Sequence, residues 1–218
     1  RVTDLHAVLD RLTKRGGPHY FGAQRFGIAG RNVTRARAWL VQGNEPPRDR
    51  FMRKLLVSTL QAELFNAIVA ERLRRGCLDC ALHGDVLRKE ETGGMFVADD
   101  MVAASSRVVD WEVSPTGPIV GPKMRPSPTA AAATLENEVR EALGLPAEPW
   151  HARGWNGPGA RRPVRVRPRE VHVHTEPDGV RVAMTLPAGA YATVVLREIF
   201  KSDAESYLAG PADSVAAE

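Results

Sequence analysis

The sequence predicts an α+β protein, and three observations predict it. Apolar residues recur at helical spacing in the first dozen residues and again between Phe51 and Arg75. Two segments near the C-terminal end alternate with a period of two around a Pro177-Asp178-Gly179 turn. No repeat of 20–50 residues, as in solenoids and propellers, runs through the chain.

Leu5, Val8, Leu9 and Leu12 share one helix face after Thr3-Asp4. Lys14 and Arg15 suit its C-terminal end, and Gly16-Gly17 stops it. Pro18 to Gly27 reads as an ordered loop, aromatic and punctuated by glycine. A second helix is predicted over about Val33–Val41. The longest is predicted over Phe51–Arg75, with Leu60, Leu64, Phe65, Ile68 and Val69 on its stripe. Ser58 or Thr59 is a candidate cap for a new helix inside it, and Gly76 suits its end.

Strands are predicted over Asp85–Lys89, Met95–Ala98 and Arg107–Val113, before a Pro- and Gly-rich stretch from Pro115 to Pro128. Ser127-Pro128 looks like a cap followed by Pro at the first helical position, opening a helix that ends near Gly144. Pro146–Gly159 reads as a loop. Val171–His174 and Val180–Leu186 form the hairpin, and Leu186-Pro187-Ala188-Gly189 turns the chain into Ala190–Phe200. A helix is favoured there, although Thr193-Val194-Val195 leaves a strand open. The tail after Lys201 is weakly patterned.

The 218 residues are 43% hydrophobic, enough for one large domain or two small ones. No apolar run approaches the ~20 residues of a membrane span, and no signal-peptide core follows Arg1. A cytoplasmic protein without membrane contact is expected. The first residue is Arg rather than Met, so a preceding segment is expected as well. Cys77, Cys80 and His83 give a C-x-x-C-x-x-H spacing without a second cysteine pair, so neither zinc nor a disulfide framework is expected.

Net charge is +4, but its distribution says more. Arg11 to Arg37 holds seven Lys or Arg and no acid; Arg161 to Arg169 holds five Arg and no acid. Such blocks beside aromatic loops fit a phosphate backbone, or equally a solvated surface. The second block alternates with Val164 and Val166, as would a strand with a basic exposed face.

Three stretches carry a resemblance. His19-Tyr20-Phe21-Gly22-Ala23-Gln24-Arg25-Phe26-Gly27 is the first. Ser58 to Asn66, continued by Ala70-Glu71-Arg72, is the second. Leu186-Pro187-Ala188-Gly189-Ala190-Tyr191-Ala192-Thr193, continued by Leu196-Arg197-Glu198, is the third. Gly84-Asp85, Thr116-Gly117-Pro118 and Gly159 to Pro163 fall between them in order. Together they resemble the TruD family of tRNA pseudouridine synthases.

The resemblance implies isomerisation of a tRNA uridine, typically uridine-13 of the D-arm, to pseudouridine without a cofactor. It implies a mixed-sheet pseudouridine-synthase domain, incomplete here, from residues 1–45 and 160–218. An α/β insertion domain would occupy 46–159. The partner is tRNA and the expected state a monomer. The family's catalytic Asp lies in a motif expected upstream of Arg1, so no catalytic residue is assigned in this chain; Asp4 and Asp10 do not match it. The isolated chain is therefore expected to be inactive. A non-catalytic RNA-binding module, or one half of a split enzyme, stays open beside the truncated isomerase.

The resemblance assigns substrate binding to His19, Phe21, Gln24, Arg25, Tyr191 and Arg197. Phe21 and Tyr191 would flank an everted uracil, and His19 stands where the family usually has Asn. Gln24 and Arg25 either bind RNA or brace the loop. Arg197 either pairs with Glu198 or reaches phosphate.

Overall fold

A computed structural model describes residues 2–147 and 157–200. The middle of the predicted Pro146–Gly159 loop and the C-terminal tail lie outside the described residues.

Helix α1 (Val2–Arg15) buries Leu5, Leu9 and Leu12, the stripe expected from the sequence. Strand β1 (Gly17–Pro18) follows; then two 3-10 turns, Ala23–Arg25 and Ile28–Gly30, carry the aromatic loop into α2 (Arg31–Leu40). Helix α3 (Arg50–Arg74) is capped by Asp49, whose carboxylate accepts from the Phe51 and Met52 N–H groups.

Ser58 and Thr59 start no new helix. Both hydroxyls donate back to the Leu55 carbonyl, at 2.8 and 2.9 Å, and α3 runs unbroken past them. Its buried face holds Leu56, Leu60, Leu64, Phe65, Ile68 and Val69.

The principal sheet has the order β3-β2-β4-β5, all antiparallel. Its strands are β2 (Val86–Lys89), β3 (Met95–Val97), β4 (Val113–Ile119) and β5 (Ala160–Pro163). Arg107–Val113 is not a strand. Helix α4 (Met101–Val109) covers the start of it, capped by Asp100, and turns Ala104 and Val108 inward. The paired Val108 and Val109 imitate a strand locally, but the cap and the i, i+4 burial decide for helix.

Conversely, much of the Pro- and Gly-rich stretch is the buried interior strand β4. Its prolines survive there because their carbonyls still serve the sheet: Pro115 accepts from the Val164 N–H at 2.9 Å.

Helix α5 (Ala130–Ala142) begins two residues later than Ser127-Pro128 predicts. The loop ahead of β2 holds its start: Thr129 N–H donates to Gly84 O at 3.0 Å and Ala132 N–H to His83 O at 3.1 Å. Gly84, at φ +80°, passes so close that a Cβ would sit 2.1 Å from Thr129 O.

Strand β6 (Arg165–Val166) pairs with β1, and β7 (Arg169–Glu176) with β8 (Gly179–Thr185) forms the expected hairpin. Helix α6 (Ala192–Phe200) closes the described chain, settling the Ala190–Phe200 segment as helix. One core lies among α2, α3 and α5, around Leu60, Leu64, Ile68 and Leu135. Another joins α1, the hairpin and α6 through Leu9, Leu12, Val195 and Ile199. A small third group, Phe65, Val69, Leu78 and Val164, packs beneath Tyr20 and Phe21.

Candidate base-binding site and nucleic-acid face

Phe21 follows β1, in a loop that α3 fixes from one side. Its N–H donates to Asn66 Oδ1 at 2.8 Å, and its carbonyl accepts from Asn66 Nδ2 at 3.0 Å. Beneath it the fully buried Phe65 ring stands edge-on, with centroids 5.5 Å apart and planes at 82°. Tyr191 arrives from the other end of the chain, and its ring centroid lies 6.1 Å from that of Phe21 at 61°. The Ala190 N–H to Pro187 carbonyl turn presents it, and its own carbonyl accepts from Val194 and Val195 at the start of α6. Both rings are half-buried. A Cβ at Gly22 would displace the Gln24 side chain, 2.5 Å away, and crowd Tyr191 Cδ1 at 3.2 Å.

Arg162 of β5 lies over this pair, its guanidinium carbon 4.3 Å from the Phe21 centroid and 5.5 Å from that of Phe65. It donates to Gly189 O at 3.0 Å and His19 O at 3.4 Å, so it joins the two loops that carry the rings. Burial pulls its pKa down to about 10. The nearby Arg25 charge lowers it further, and Tyr191 opposes both.

His19 is buried at 6% exposure. Its Nδ1 lies 3.0 Å from Pro163 O, an acceptor only, so Nδ1 carries the proton and Nε2 is left as an acceptor. Nε2 has no partner. Burial first, and the Arg162 charge second, pull the ring's pKa down to about 3, so it is neutral at physiological pH.

Arg25 braces the loop. Its Nη1 donates to Ser58 Oγ at 3.2 Å, its carbonyl accepts from Thr59 Oγ1 at 3.2 Å, and its guanidinium lies 5.7 Å from the Phe21 centroid. Gln24 is exposed, its side chain folded back over Gly22. Arg197 is exposed on α6 and stands near the Tyr20 hydroxyl. Burial and Glu198 push that hydroxyl's pKa up, and Arg197 opposes them. Thus His19, Phe21, Gln24, Arg25 and Tyr191 come together. Asn66, Phe65 and Arg162 complete the group. The sequence could have flagged Asn66 only by its place in the Ser58–Asn66 stretch, and Arg162 only by its place in a basic block.

Two arginines of that block, Arg161 and Arg165, are interior. Arg161 is buried and pairs with Glu136, while donating to Thr116 Oγ1 and the Thr116 carbonyl. Arg165 is buried 3.7 Å from the centroid of the Trp111 ring and donates to the Val108 and Val113 carbonyls. Both positions are interior because a counter-charge or a ring meets them from another element.

Asp10 is exposed and pairs with Lys14 at 2.9 Å on α1, away from these groups. Cys77 and Cys80 are both free, and burial pushes the Cys80 thiol up to about 11. Among the described residues, no helix is long and apolar enough to cross a membrane.

The architecture is that of a pseudouridine synthase. It superposes on the putative tRNA pseudouridine synthase D of Methanosarcina mazei with a TM-score of 0.67 at 19% identity, over 92% of this chain and 65% of that one. The family model described as tRNA pseudouridine synthase D (TruD) matches residues 49–199, and the chain belongs to that family. It is 44% identical over 202 residues to the tRNA pseudouridine synthase D of Anaeromyxobacter dehalogenans strain 2CP-1, covering 89% of this chain and 57% of the relative. With a Thermus thermophilus protein of the same name it is 39% identical over 207 residues, covering 95% and 56%. The chain therefore spans little more than half the length of these curated relatives.

Proposed function

We propose that this chain supplies the base-holding half of a tRNA uridine-to-pseudouridine isomerase. The relatives' names point to that reaction, and the carrying observation here is the pair of rings, Phe21 and Tyr191, 6.1 Å apart under Arg162. A uridine stacked within RNA is out of reach, so it must be everted, at a cost of a few kcal/mol. Stacking on an aromatic side chain offsets about 1–3 kcal/mol of that. Phe21 is the platform and Tyr191 the opposing wall. His19 is neutral with Nε2 buried, and it would have to turn its ring to accept from the N3–H of uracil.

The reaction breaks the N-glycosidic bond, turns the uracil and rejoins it to the sugar through carbon. No cofactor is needed, but a carboxylate must reach the reacting atoms. Arg162 stands ready as its counter-charge. The target is the family's D-arm uridine-13. The isolated 218-residue chain binds tRNA without isomerising it, in the cytoplasm and as a monomer. The proposed division places 46–159 in the insertion domain and the flanking residues in the catalytic domain.

Carbodiimide primer-extension mapping of tRNA tests this. The chain joined to the remaining length of its relatives should convert uridine-13, and Phe21→Ala in that enzyme should abolish most of the conversion. No pseudouridine from the joined protein would overturn the enzyme reading. Pseudouridine from the 218 residues alone would overturn the assignment of the carboxylate elsewhere.

A further inference from the structure

A cavity of about 530 Å³ opens beside the ring pair, between β6 and the Leu186–Ala188 turn. His19 and Arg162 belong to both the ring group and the cavity wall, so the cavity adjoins the ring pair. The rest of the wall is strongly basic. Arg88, Arg165, Arg167 and Arg169 line it together with Trp111, and Glu90 is its one acidic side chain.

Among the described residues, none of these four arginines, nor Arg162, forms an ion pair with a carboxylate. Arg165 is committed to the fold through its carbonyl partners. Arg167 is not. Its guanidinium carbon lies 4.5 Å from the Trp111 centroid, and its Nε is buried without an acceptor. The Nε of Arg162 is in the same state.

A buried donor without an acceptor is costly, and here two of them sit on arginines of one basic wall, an arrangement that suits an oxyanion. Burial lowers the pKa of Arg162, Arg165 and Arg167 alike, and Glu90 offsets part of that for Arg165 and Arg167. Trp111 holds the guanidiniums at fixed height, and its Nε1 is itself anchored to the Lys14 carbonyl at 2.7 Å.

We propose that this cavity is a phosphate subsite, in which Arg88, Arg167 and Arg169 seat a backbone phosphodiester next to the nucleotide held at Phe21. The proposal rests on the RNA-binding reading above. Adjacency favours RNA over an acidic polypeptide as the source of the anion, because a strand whose base enters the ring pair carries its own phosphates past Arg162. Planar guanidinium forks suit phosphate oxygens two at a time, and a Lys at the same place would supply charge without the fork.

The test is the salt dependence of RNA binding by the full 218-residue chain, measured by fluorescence anisotropy with a uridine-containing single strand. Each phosphate contact removed should lower the slope of log K against log salt by about 0.7. Arg167→Gln and Arg88→Gln are each expected to do so and to weaken binding several-fold at low salt. Arg167→Lys should keep the slope while losing part of the affinity. Thermal melts establish that each variant is folded. The exposed Arg31→Gln serves as the comparison for a cation outside the cavity.

Unchanged slopes in folded Arg167→Gln and Arg88→Gln, while Phe21→Ala still weakens binding, would overturn the subsite alone. Absence of RNA binding by the unaltered chain would overturn the reading beneath it. Tighter, Arg167-dependent capture of polyglutamate than of the RNA strand would assign the cavity to a polypeptide carboxylate and also overturn the proposal.

Discussion

Asn66 and Phe21 exchange two hydrogen bonds, side-chain amide to backbone, at 2.8 and 3.0 Å. An amide donates and accepts through two different atoms of one group, so it closes a pair that an ionised carboxylate, which only accepts, cannot close. The long helix thereby fixes the height of the Phe21 loop. Asn66→Ala leaves a half-buried N–H and carbonyl to find water. It is expected to cost about 1–3 kcal/mol of stability. It should also weaken uridine-containing RNA more than the same strand carrying an abasic site in place of uridine. Urea titration and anisotropy check the two parts separately.

Phe21→Ala removes the proposed platform while leaving Phe65 in place beneath it. The expected loss is about 1–3 kcal/mol of binding to an RNA presenting an unpaired uridine. Phe21→Tyr should restore most of it. Arg169→Ala, at an exposed position, should cost less. Equal losses in the two alanine variants would make Phe21 a packing residue.

His19 makes stability depend on pH in a defined window. Above pH 6.5 the ring is neutral both folded and unfolded. Below 6.5 the unfolded ring takes up a proton that the folded ring refuses until about pH 3. Stability is therefore lost as pH falls between those values, with a limiting slope of about 1.4 kcal/mol per pH unit. His19→Asn removes that contribution. Urea midpoints at pH 7, 5.5 and 4.5 should fall less steeply in the variant; parallel declines would show that His19 does not carry the effect.

Asp85 and Arg72 are paired at 2.8 Å and nearly inaccessible, at 1% and 2% exposure. Asp85 also accepts from the Leu82 N–H at 2.7 Å. Asp85→Ala strands a guanidinium in the interior and is expected to destabilise by about 3–5 kcal/mol. Arg72→Met with Asp85→Leu should recover much of that, because it leaves no uncompensated charge. Calorimetry of the single and double variants decides it.

The sequence made α1, α3 and the hairpin legible because their patterns are local: helical stripes in the first two, alternation around Pro-Asp-Gly in the third. It made β4 illegible because prolines and a glycine inside a strand oppose every local preference. The strand exists through its partners on both sides, β2 and β5. For the ring pair, the motifs named both Phe21 and Tyr191 from opposite ends of the chain. Arg161 and Arg165 look like surface residues in the sequence because Glu136 and Trp111, which draw them inward, come from other elements. Arg162, beside them in sequence, is the residue that reaches the rings. No local pattern distinguishes it from its neighbours.

Strand β5 pairs Arg161 with Pro118 and Arg162 with Gly117, which sends one guanidinium inward to Glu136 and the next outward over Phe21. Adjacent side chains on a strand take opposite faces, so sliding β5 by a single position would swap their destinations. The inner carboxylate would lose its counter-charge at the moment the rings lost their cover. A one-codon insertion or deletion between 160 and 163 should therefore be far more damaging than any point substitution there, since it unsettles folding and ligand capture through the same displacement.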